Sequence, residues 1–153
     1  MNELSLPQRA GAKPDTTAAM PHSQLTENSD VDIYDAFAEW LFSLEHISEG
    51  RSAVSLPSSR AVWLAESAGA IRPGLTREFT HIHTEPGLGS QHLSLDRASA
   101  AEVFEKGWGE PHPMNDIIPD FELLMIFAAR DAEELEVIKQ ITLRALEYSL
   151  GVD

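Results

Sequence analysis

Apolar side chains return every three or four residues between positions 31 and 49 of the chain. The residues of this stripe are Ile33, Phe37, Trp40, Leu41, Leu44 and Ile47. Ser29 or Asp30 suits the cap of the first turn, and Gly50 is a residue type that tolerates the backbone of a helix end. The spacing predicts an amphipathic helix over residues 31–49.

Two further helices are predicted in the second half of the chain. Asp96 precedes a segment that reaches Lys106, and Gly107 follows it, so a cap and a stop flank a stretch of helical length. Asp131 begins a longer helix, whose apolar stripe continues to Tyr148. These patterns predict helices that begin just after the two aspartates.

Several short segments have the composition of strands. Residues 77–84 and 91–95 flank the turn "EPGLGS", which contains two glycines and suits a hairpin. The apolar run "FELLMIFAA", residues 121–129, has the length of a central strand, although its periodicity also permits a buried helix. Residues 61–65, "AVWLA", form another short apolar run between loops. We expect strands at all of these positions.

The order of elements and the tight hairpin predict an α+β fold, in which helices pack over a small antiparallel sheet in a single domain. Residues 1–28 are rich in Ser, Thr, Pro and Ala and have only scattered apolar positions. Such a segment is expected to bury too little surface to offset the entropy lost on ordering. We therefore predict a flexible N-terminal tail over residues 1–28 and a folded domain over residues 29–153.

Composition narrows the classes of function. The 153 residues include 25 acidic and 11 basic side chains, and a net charge of −14 repels nucleic acid phosphates and anionic lipids. The chain has no cysteine, which excludes thiolate metal sites and cysteine nucleophiles. Signal-peptide, membrane-helix, phosphate-loop, kinase and hydrolase patterns are missing from the sequence. We expect a cytoplasmic protein with a small-molecule partner and no nucleic acid or membrane partner, while the oligomeric state stays open.

Three of the six histidines lie in the predicted hairpin. His81 and His83 are two positions apart on one strand, so their side chains project from the same face about 6.5 to 7 Å apart along it. His92, on the returning strand, shares that face if the register holds. The three imidazoles could bind a divalent metal, exchange protons near neutral pH, or simply face water. The residues alone leave these readings open.

A second group of unusual residues follows the middle predicted helix. In "KGWGEPHPM" two glycines flank Trp108 and two prolines flank His112, which places an aromatic ring and an imidazole on a rigid loop. This arrangement suits a pocket wall, and it equally suits a packed connection with the indole in the core. Arg77 and Glu78 are weaker candidates, because charged strand residues usually face solvent or pair with each other.

Three blocks of the sequence resemble the luciferase-domain family, which includes proteins of bioluminescent mushrooms and many short bacterial and fungal relatives. The blocks are "REFTHIHTEPGLGSQHLSL", "AEVFEKGWGEPHPM" and "IFAARDAEELEVIKQITLRALEY". The resemblance runs from about Thr76 to Tyr148 and keeps the order of an H-x-H strand, an H-L-x-L strand, a K-G-W-G-x-x-H-P loop and a final helix. The positions that match the family's histidines are His81, His83, His92 and His112.

The resemblance also implies an activity. The mushroom members oxidise 3-hydroxyhispidin, a hydroxylated α-pyrone, with molecular oxygen through a cyclic peroxide that loses carbon dioxide, and no organic cofactor is implied. We therefore expect a luciferase-like oxidoreductase, a monooxygenase or dioxygenase, that acts on a small enolic or phenolic molecule. Molecular oxygen would be the co-substrate, and a histidine, first of all His81 or His83, would be the general base.

Further site residues follow from this chemistry as expectations. Trp108 would line the pocket, Arg77 or Arg130 would pair with an enolate, and Glu78 would orient a histidine if a bulge brings it to their face. Two alternative functions stay open. One is a metal-dependent enzyme that binds a divalent ion; its ligands would be His81, His83 and His92. The other is a ligand-binding module without catalysis.

Overall fold

A six-stranded antiparallel sheet organises the chain. The computed structural model describes residues 3–115 and 120–153. The strands are β1 (Ile47–Arg51), β2 (Arg60–Leu64), β3 (Glu78–Ile82), β4 (Gln91–Leu95), β5 (Gly109–Pro111) and β6 (Glu122–Ile126), and the helices are α1 (Val31–Phe42), α2 (Arg97–Lys106) and α3 (Ala132–Ser149). The strand order is β1-β2-β3-β4-β6-β5, with every neighbouring pair antiparallel. The predicted α+β fold is confirmed.

The predicted hairpin is formed by β3 and β4. His81 lies directly opposite His92 in the register, so the assumption that these two histidines share a face is correct. At the turn, the His83 N–H donates to the Ser90 carbonyl at 2.9 Å. Gly89 has a φ of 93°, and a Cβ there would collide with a neighbouring side chain, so glycine is required on both counts.

The second and third helices begin where their capping residues predict. The Asp96 carboxylate accepts from the Ser99 N–H at 2.8 Å, and Asp131 accepts from the Glu134 N–H at the same distance. Gly107 ends α2 in the left-handed conformation, with a φ of 82°. No helix among the described residues is both long and apolar enough to cross a membrane.

The predicted extent of α1 is wrong at its C-terminal end. The helix ends at Phe42, and Ile47 instead pairs with Leu64 as part of the edge strand β1. Gly50 does not stop a helix but makes room for a ring, since a Cβ there would lie 2.9 Å from the Trp63 indole. The apolar spacing continued past the helix because Ile47 packs against the core from a strand.

The sheet presents one face to α3 and the opposite face to the histidines. On the α3 face, the Gln91 amide donates to the Thr142 hydroxyl at 2.8 Å, and the Thr80 hydroxyl donates to the Gln91 side-chain oxygen at 2.8 Å. Leu93 and Leu95 are buried on this face. Because side chains alternate along a strand, His92, which lies between Gln91 and Leu93, projects from the other face.

The N-terminal segment differs from the flexible tail predicted for residues 1–28. Within its described part, residues 3–28, Leu6, His22 and Gln24 are buried. The Gln24 side-chain oxygen accepts from the Ala128 N–H at 3.0 Å, and the Arg9 N–H donates to a carbonyl at the end of α2. Composition alone underestimates how well such a segment is ordered. Hydrogen bonds to distant residues add to the small stabilisation from its apolar burial.

Candidate active site

Five imidazoles converge on the face of the sheet opposite α3. Strands β3 and β4 supply His81 and His92, His83 follows β3, the loop after β5 supplies His112, and the N-terminal segment supplies His22. The ring centroids of neighbouring pairs lie between 4.7 and 5.4 Å apart. His22 and His112 come from segments outside the hairpin, so the fold brings them to the three hairpin histidines.

The histidines line a cavity with a volume of about 580 Å³, which is in the range of small-molecule sites. Its apolar lining is Met20, Pro21, Val54, Leu56, Pro57, Pro86, Met114 and Leu123. Among the described residues that line it there is no lysine or arginine, and Glu85 is the only acid. The cavity therefore suits a small, largely apolar molecule with oxygen atoms that imidazoles can contact.

A continuous hydrogen-bonded row crosses the cluster, and we call it the imidazole chain: Glu78, His81, His92, His22 and Glu110. Its successive contacts are Glu78 Oε2 to His81 Nδ1 at 3.0 Å, His81 Nε2 to His92 Nδ1 at 3.1 Å, His92 Nε2 to His22 Nδ1 at 2.9 Å, and His22 Nε2 to Glu110 Oε1 at 3.2 Å. Both ring nitrogens of each of its histidines are thus engaged.

Glu78 reaches the histidine face through a bulge. Val62 pairs with Thr80 and the next residue, Trp63, pairs with Glu78, so β3 holds one extra residue at this point. The extra residue reverses the alternation and brings the carboxylate to His81. Burial alone would raise the pKa of Glu78, but hydrogen bonds from His81 and from the loop at residues 52–53 hold that pKa below its ordinary value.

His83 presents a proton acceptor to the cavity. Its Nδ1 lies 2.7 Å from the Ser90 hydroxyl, which donates its own proton to the Gly87 carbonyl at 2.7 Å. The hydroxyl must therefore accept from His83, which places the imidazole proton on Nδ1 and a lone pair on Nε2. Burial, assisted by the positive charges that His81 and His22 can carry, lowers the pKa of His83 to about 3. The side chain is neutral at physiological pH.

His112 presents a hydrogen-bond donor to the cavity. The Met114 N–H donates to His112 Nδ1 at 3.1 Å, so the neutral ring carries its proton on Nε2. Burial lowers the pKa of His112 to about 4, and charge on His22 and His81 acts in the same direction. Between these two rings lies His92, whose pKa burial holds well below its ordinary value. The cavity wall thus combines a neutral proton acceptor with a neutral hydrogen-bond donor.

None of the four predicted substrate-binding residues lines the cavity, and Glu78 reaches it only through its hydrogen bond with His81. The Arg77 guanidinium binds backbone carbonyls of Leu64 and Ala65, and Arg130 pairs with Glu134. Trp108 is a core residue, 3% exposed, and its indole N–H donates to the Pro7 carbonyl at 2.7 Å. The structure therefore places Trp108 in the hydrophobic core, as the second of the two sequence-based interpretations expected.

The sequence-based hypothesis missed His22 and Glu110. His22 stands in the segment predicted as a flexible tail, and nothing in its local sequence marks it. Glu110 lies in β5, two positions before His112, and no local sequence pattern marks it. Their partners are 70 and 88 residues away in the chain, a relation that local patterns do not reveal.

The cluster also has the spacing of a metal site. In each of two sets of three histidines, one nitrogen from every ring lies within 4.8 Å of the others. The first set is His81, His83 and His92, and the second is His22, His92 and His112. Hydrogen bonds to the second nitrogens of His81 and His83 would orient these rings as they do in metal centres. The metal hypothesis stays a prediction.

Comparison with known proteins agrees with the resemblance. Residues 76–145 match the family model described as the Luciferase domain. That segment contains β3, β4 and the histidine loop, and so the predicted family resemblance is confirmed over it. The segment leaves out His22 and the loop at residues 54–59, which complete the cavity wall.

Individual relatives give the same result. A protein named luciferase from Armillaria gallica is 36% identical over 78 residues, which is 49% of this chain and 27% of the relative. The luciferase of Neonothopanus nambi is 32% identical over 75 residues, 47% of this chain and 28% of the relative. The chain thus spans about a quarter of the length of these relatives. No solved structure matches it.

Proposed function

We propose that this protein is a luciferase-like oxygenase that needs no organic cofactor and acts on a small enolic or phenolic molecule, such as a hydroxylated α-pyrone. The observation that carries the proposal is the pairing of a neutral acceptor, His83 Nε2, with a neutral donor, His112 Nε2–H, in one apolar cavity. The similarity of residues 76–145 to the luciferase domain supports it.

Binding would place the flat ring of the substrate against the apolar wall and its oxygens against the imidazoles. His112 would donate a hydrogen bond to the substrate oxygen on which negative charge develops, and His83 would accept the enol proton. The enolate is electron-rich, and it would supply the electrons that reduce molecular oxygen. A closely fitting apolar wall would keep water away from the peroxide that forms.

The low pKa of His83 fits a base that works only with substrate present. A ring with a pKa of about 3 is a weak base in the empty cavity, because burial opposes its positive charge. An enolate formed beside it supplies the missing counter-charge, and in a buried site such a pair attracts strongly. Proton transfer and substrate binding are therefore coupled, which favours ionisation of the bound enol over protonation from water.

The proposal is tested by oxygen uptake. Protein freed of metal by chelation is mixed with 3-hydroxyhispidin in air, and oxygen and light are recorded together. We expect uptake by the wild type and a loss of about 10²- to 10⁴-fold in His83→Gln, the range for removal of a general base. His46→Gln, which changes an exposed histidine outside the cavity, is the matched control.

Two outcomes would replace the proposal. Ligand binding without oxygen uptake in any preparation would favour a binding module. Activity that disappears on chelation and returns with one divalent ion would favour the metal-dependent alternative.

A further inference from the structure

The carboxylates at the two ends of the imidazole chain fix the tautomers of the rings that they contact. An ionised carboxylate only accepts hydrogen bonds, so Glu78 requires the proton of His81 on Nδ1, at 3.0 Å. In the same way, Glu110 requires the proton of His22 on Nε2, at 3.2 Å. Burial would raise the pKa of both carboxyl groups, but their hydrogen bonds hold it below the ordinary value, so both are ionised near neutral pH.

The tautomer of His92 follows from that of His22. A neutral His22 with its proton on Nε2 has a lone pair on Nδ1, and this atom lies 2.9 Å from His92 Nε2. His92 Nε2 therefore carries the proton and donates it, which leaves the lone pair of His92 on Nδ1. Burial lowers the pKa of His22 and holds that of His92 well below its ordinary value, so both rings are neutral.

Three lone pairs consequently lie close together in the cavity wall. His81 Nε2 and His92 Nδ1 face each other at 3.1 Å, and in the neutral rings neither atom carries a proton. His83 Nε2 offers the third lone pair, because the Nδ1 of this ring donates to Ser90. One nitrogen from each of the three rings lies within 4.8 Å of the others. Two lone pairs that face each other repel, and a cation between them turns this repulsion into attraction.

We propose that His81 Nε2, His83 Nε2 and His92 Nδ1 bind one divalent metal ion of the zinc class. Neutral imidazoles suit zinc, copper, nickel and iron, whereas magnesium and calcium prefer oxygen ligands. At about 2.0 to 2.1 Å per nitrogen, two ligands at a tetrahedral angle lie roughly 3.3 Å apart. The rings of His81 and His92, with these nitrogens 3.1 Å apart, need to separate only slightly. Three ligands leave a position open for water or for a substrate oxygen.

The second nitrogen of each ligand ring has an acceptor, as is usual in metal centres. His81 donates to the carboxylate of Glu78, and His83 donates to the hydroxyl of Ser90. The third ring donates to His22. These bonds fix the orientation of the rings, and the Glu78 side chain, which is 4% exposed, supplies buried negative charge beside the ion.

The other set of three histidines lacks such a group of lone pairs. The contact between His22 and His92 already contains the proton of His92 Nε2. His112 Nδ1 accepts from the Met114 N–H at 3.1 Å, so His112 Nε2 carries a proton and has no lone pair for an ion. The tautomers thus assign the ion to the hairpin histidines and not to the second set.

The ion would regulate the activity of the cavity, and this consequence rests on the proposed function. In the metal-free protein His83 Nε2 accepts the enol proton, and a bound ion takes the same lone pair. Zinc has no redox chemistry in proteins, so it cannot pass electrons to oxygen in place of the enolate. Zinc should therefore inhibit oxygen uptake, and chelation should restore it.

The site is tested by calorimetric titration of zinc chloride into chelator-treated protein at pH 7.5. We expect one zinc ion per chain. His81→Gln and His83→Gln should each raise the Kd at least about 100-fold, since a lost ligand costs more than a lost second partner of a ligand. Ser90→Ala keeps all three ligands and should raise the Kd about tenfold, because the ring of His83 loses its acceptor.

His112→Gln and His46→Gln are the matched controls. The first removes a histidine of the same cavity that is not a ligand, and the second removes an exposed histidine outside the cavity. Both should keep the Kd of the wild type. Cobalt(II) in place of zinc should give the strong visible absorption of a four-coordinate site in the wild type and in both controls, but not in His83→Gln.

The outcomes separate the site from the proposed function. Zinc that does not bind stoichiometrically would overturn the inference, as would binding that survives in both ligand variants or is lost in His112→Gln. If one ligand variant does not fold, the other decides. Oxygen uptake that rises with zinc would overturn the inhibitory role and favour the metal-dependent alternative. Protein without uptake in either state would refute the proposed function, while the titration still decides whether the ion site exists.

Discussion

Acid destabilisation should be traceable to His83. In the unfolded chain a histidine takes up a proton near pH 6.5, while in the folded protein the pKa of His83 is lowered to about 3 by burial. Between these values the unfolded state binds a proton that the folded state does not. The contribution of His83 to stability is therefore complete above about pH 6.5 and is lost as the pH falls toward 3.

The magnitude follows from the difference between the two states. At pH 5 the unfolded ring is protonated by a ratio of roughly 30 to 1, and each factor of ten corresponds to about 1.4 kcal/mol. His83 should therefore account for a loss of about 2 kcal/mol between pH 7 and pH 5. His112, with a pKa lowered to about 4, acts in the same direction but is partly exposed, so its share is smaller.

The assay is urea unfolding followed by tryptophan fluorescence at pH 7 and pH 5. We expect His83→Gln to lose about 2 kcal/mol less than the wild type over this interval, whatever its stability at pH 7. His46→Gln should lose as much as the wild type. Equal losses in the wild type and His83→Gln would refute the account of a ring kept neutral by burial.

Three further predictions concern the frame of the site. Gly109→Ala should lower the free energy of unfolding by about 2 kcal/mol or more, because the new Cβ would collide with the Met125 carbonyl oxygen; thermal melting measures this. Asp96→Ala should cost about 1 kcal/mol in urea unfolding by removing the cap of α2. Leu56→Ser at the cavity wall should raise the Kd for a hydroxy-α-pyrone about three- to tenfold at unchanged stability, by titration calorimetry, because apolar contact is lost. Leu143→Ser on α3, similarly exposed, is its control.

The parts of the fold that were predicted correctly have local causes. The caps of α2 and α3 lie within three residues of the groups they bind, and the hairpin turn contains the glycines that it needs. The edge strands β1 and β5 were not predicted. Residues 48–51 are exposed and lack alternation, and β5 has only three residues, so neither gives a periodic signal.

The candidate site divides in the same way. His81, His83 and His92 could be placed together because strand alternation and hairpin register are local rules. His22 joins the imidazole chain through contacts between distant segments of the protein, and the sequence therefore did not predict its role. The charge of Arg77 suggested a ligand role, whereas its guanidinium binds backbone carbonyls at the end of β2, which sequence alone does not reveal.

The central claim is that a cavity histidine takes the enol proton of the bound substrate. The most direct measurement is the absorption spectrum of 3-hydroxyhispidin bound to metal-free protein without oxygen, at a pH where the unbound compound stays protonated. We predict the spectrum of the enolate with the wild type and that of the neutral enol with His83→Gln. A bound neutral enol in the wild type, or an enolate in both proteins, would contradict the account.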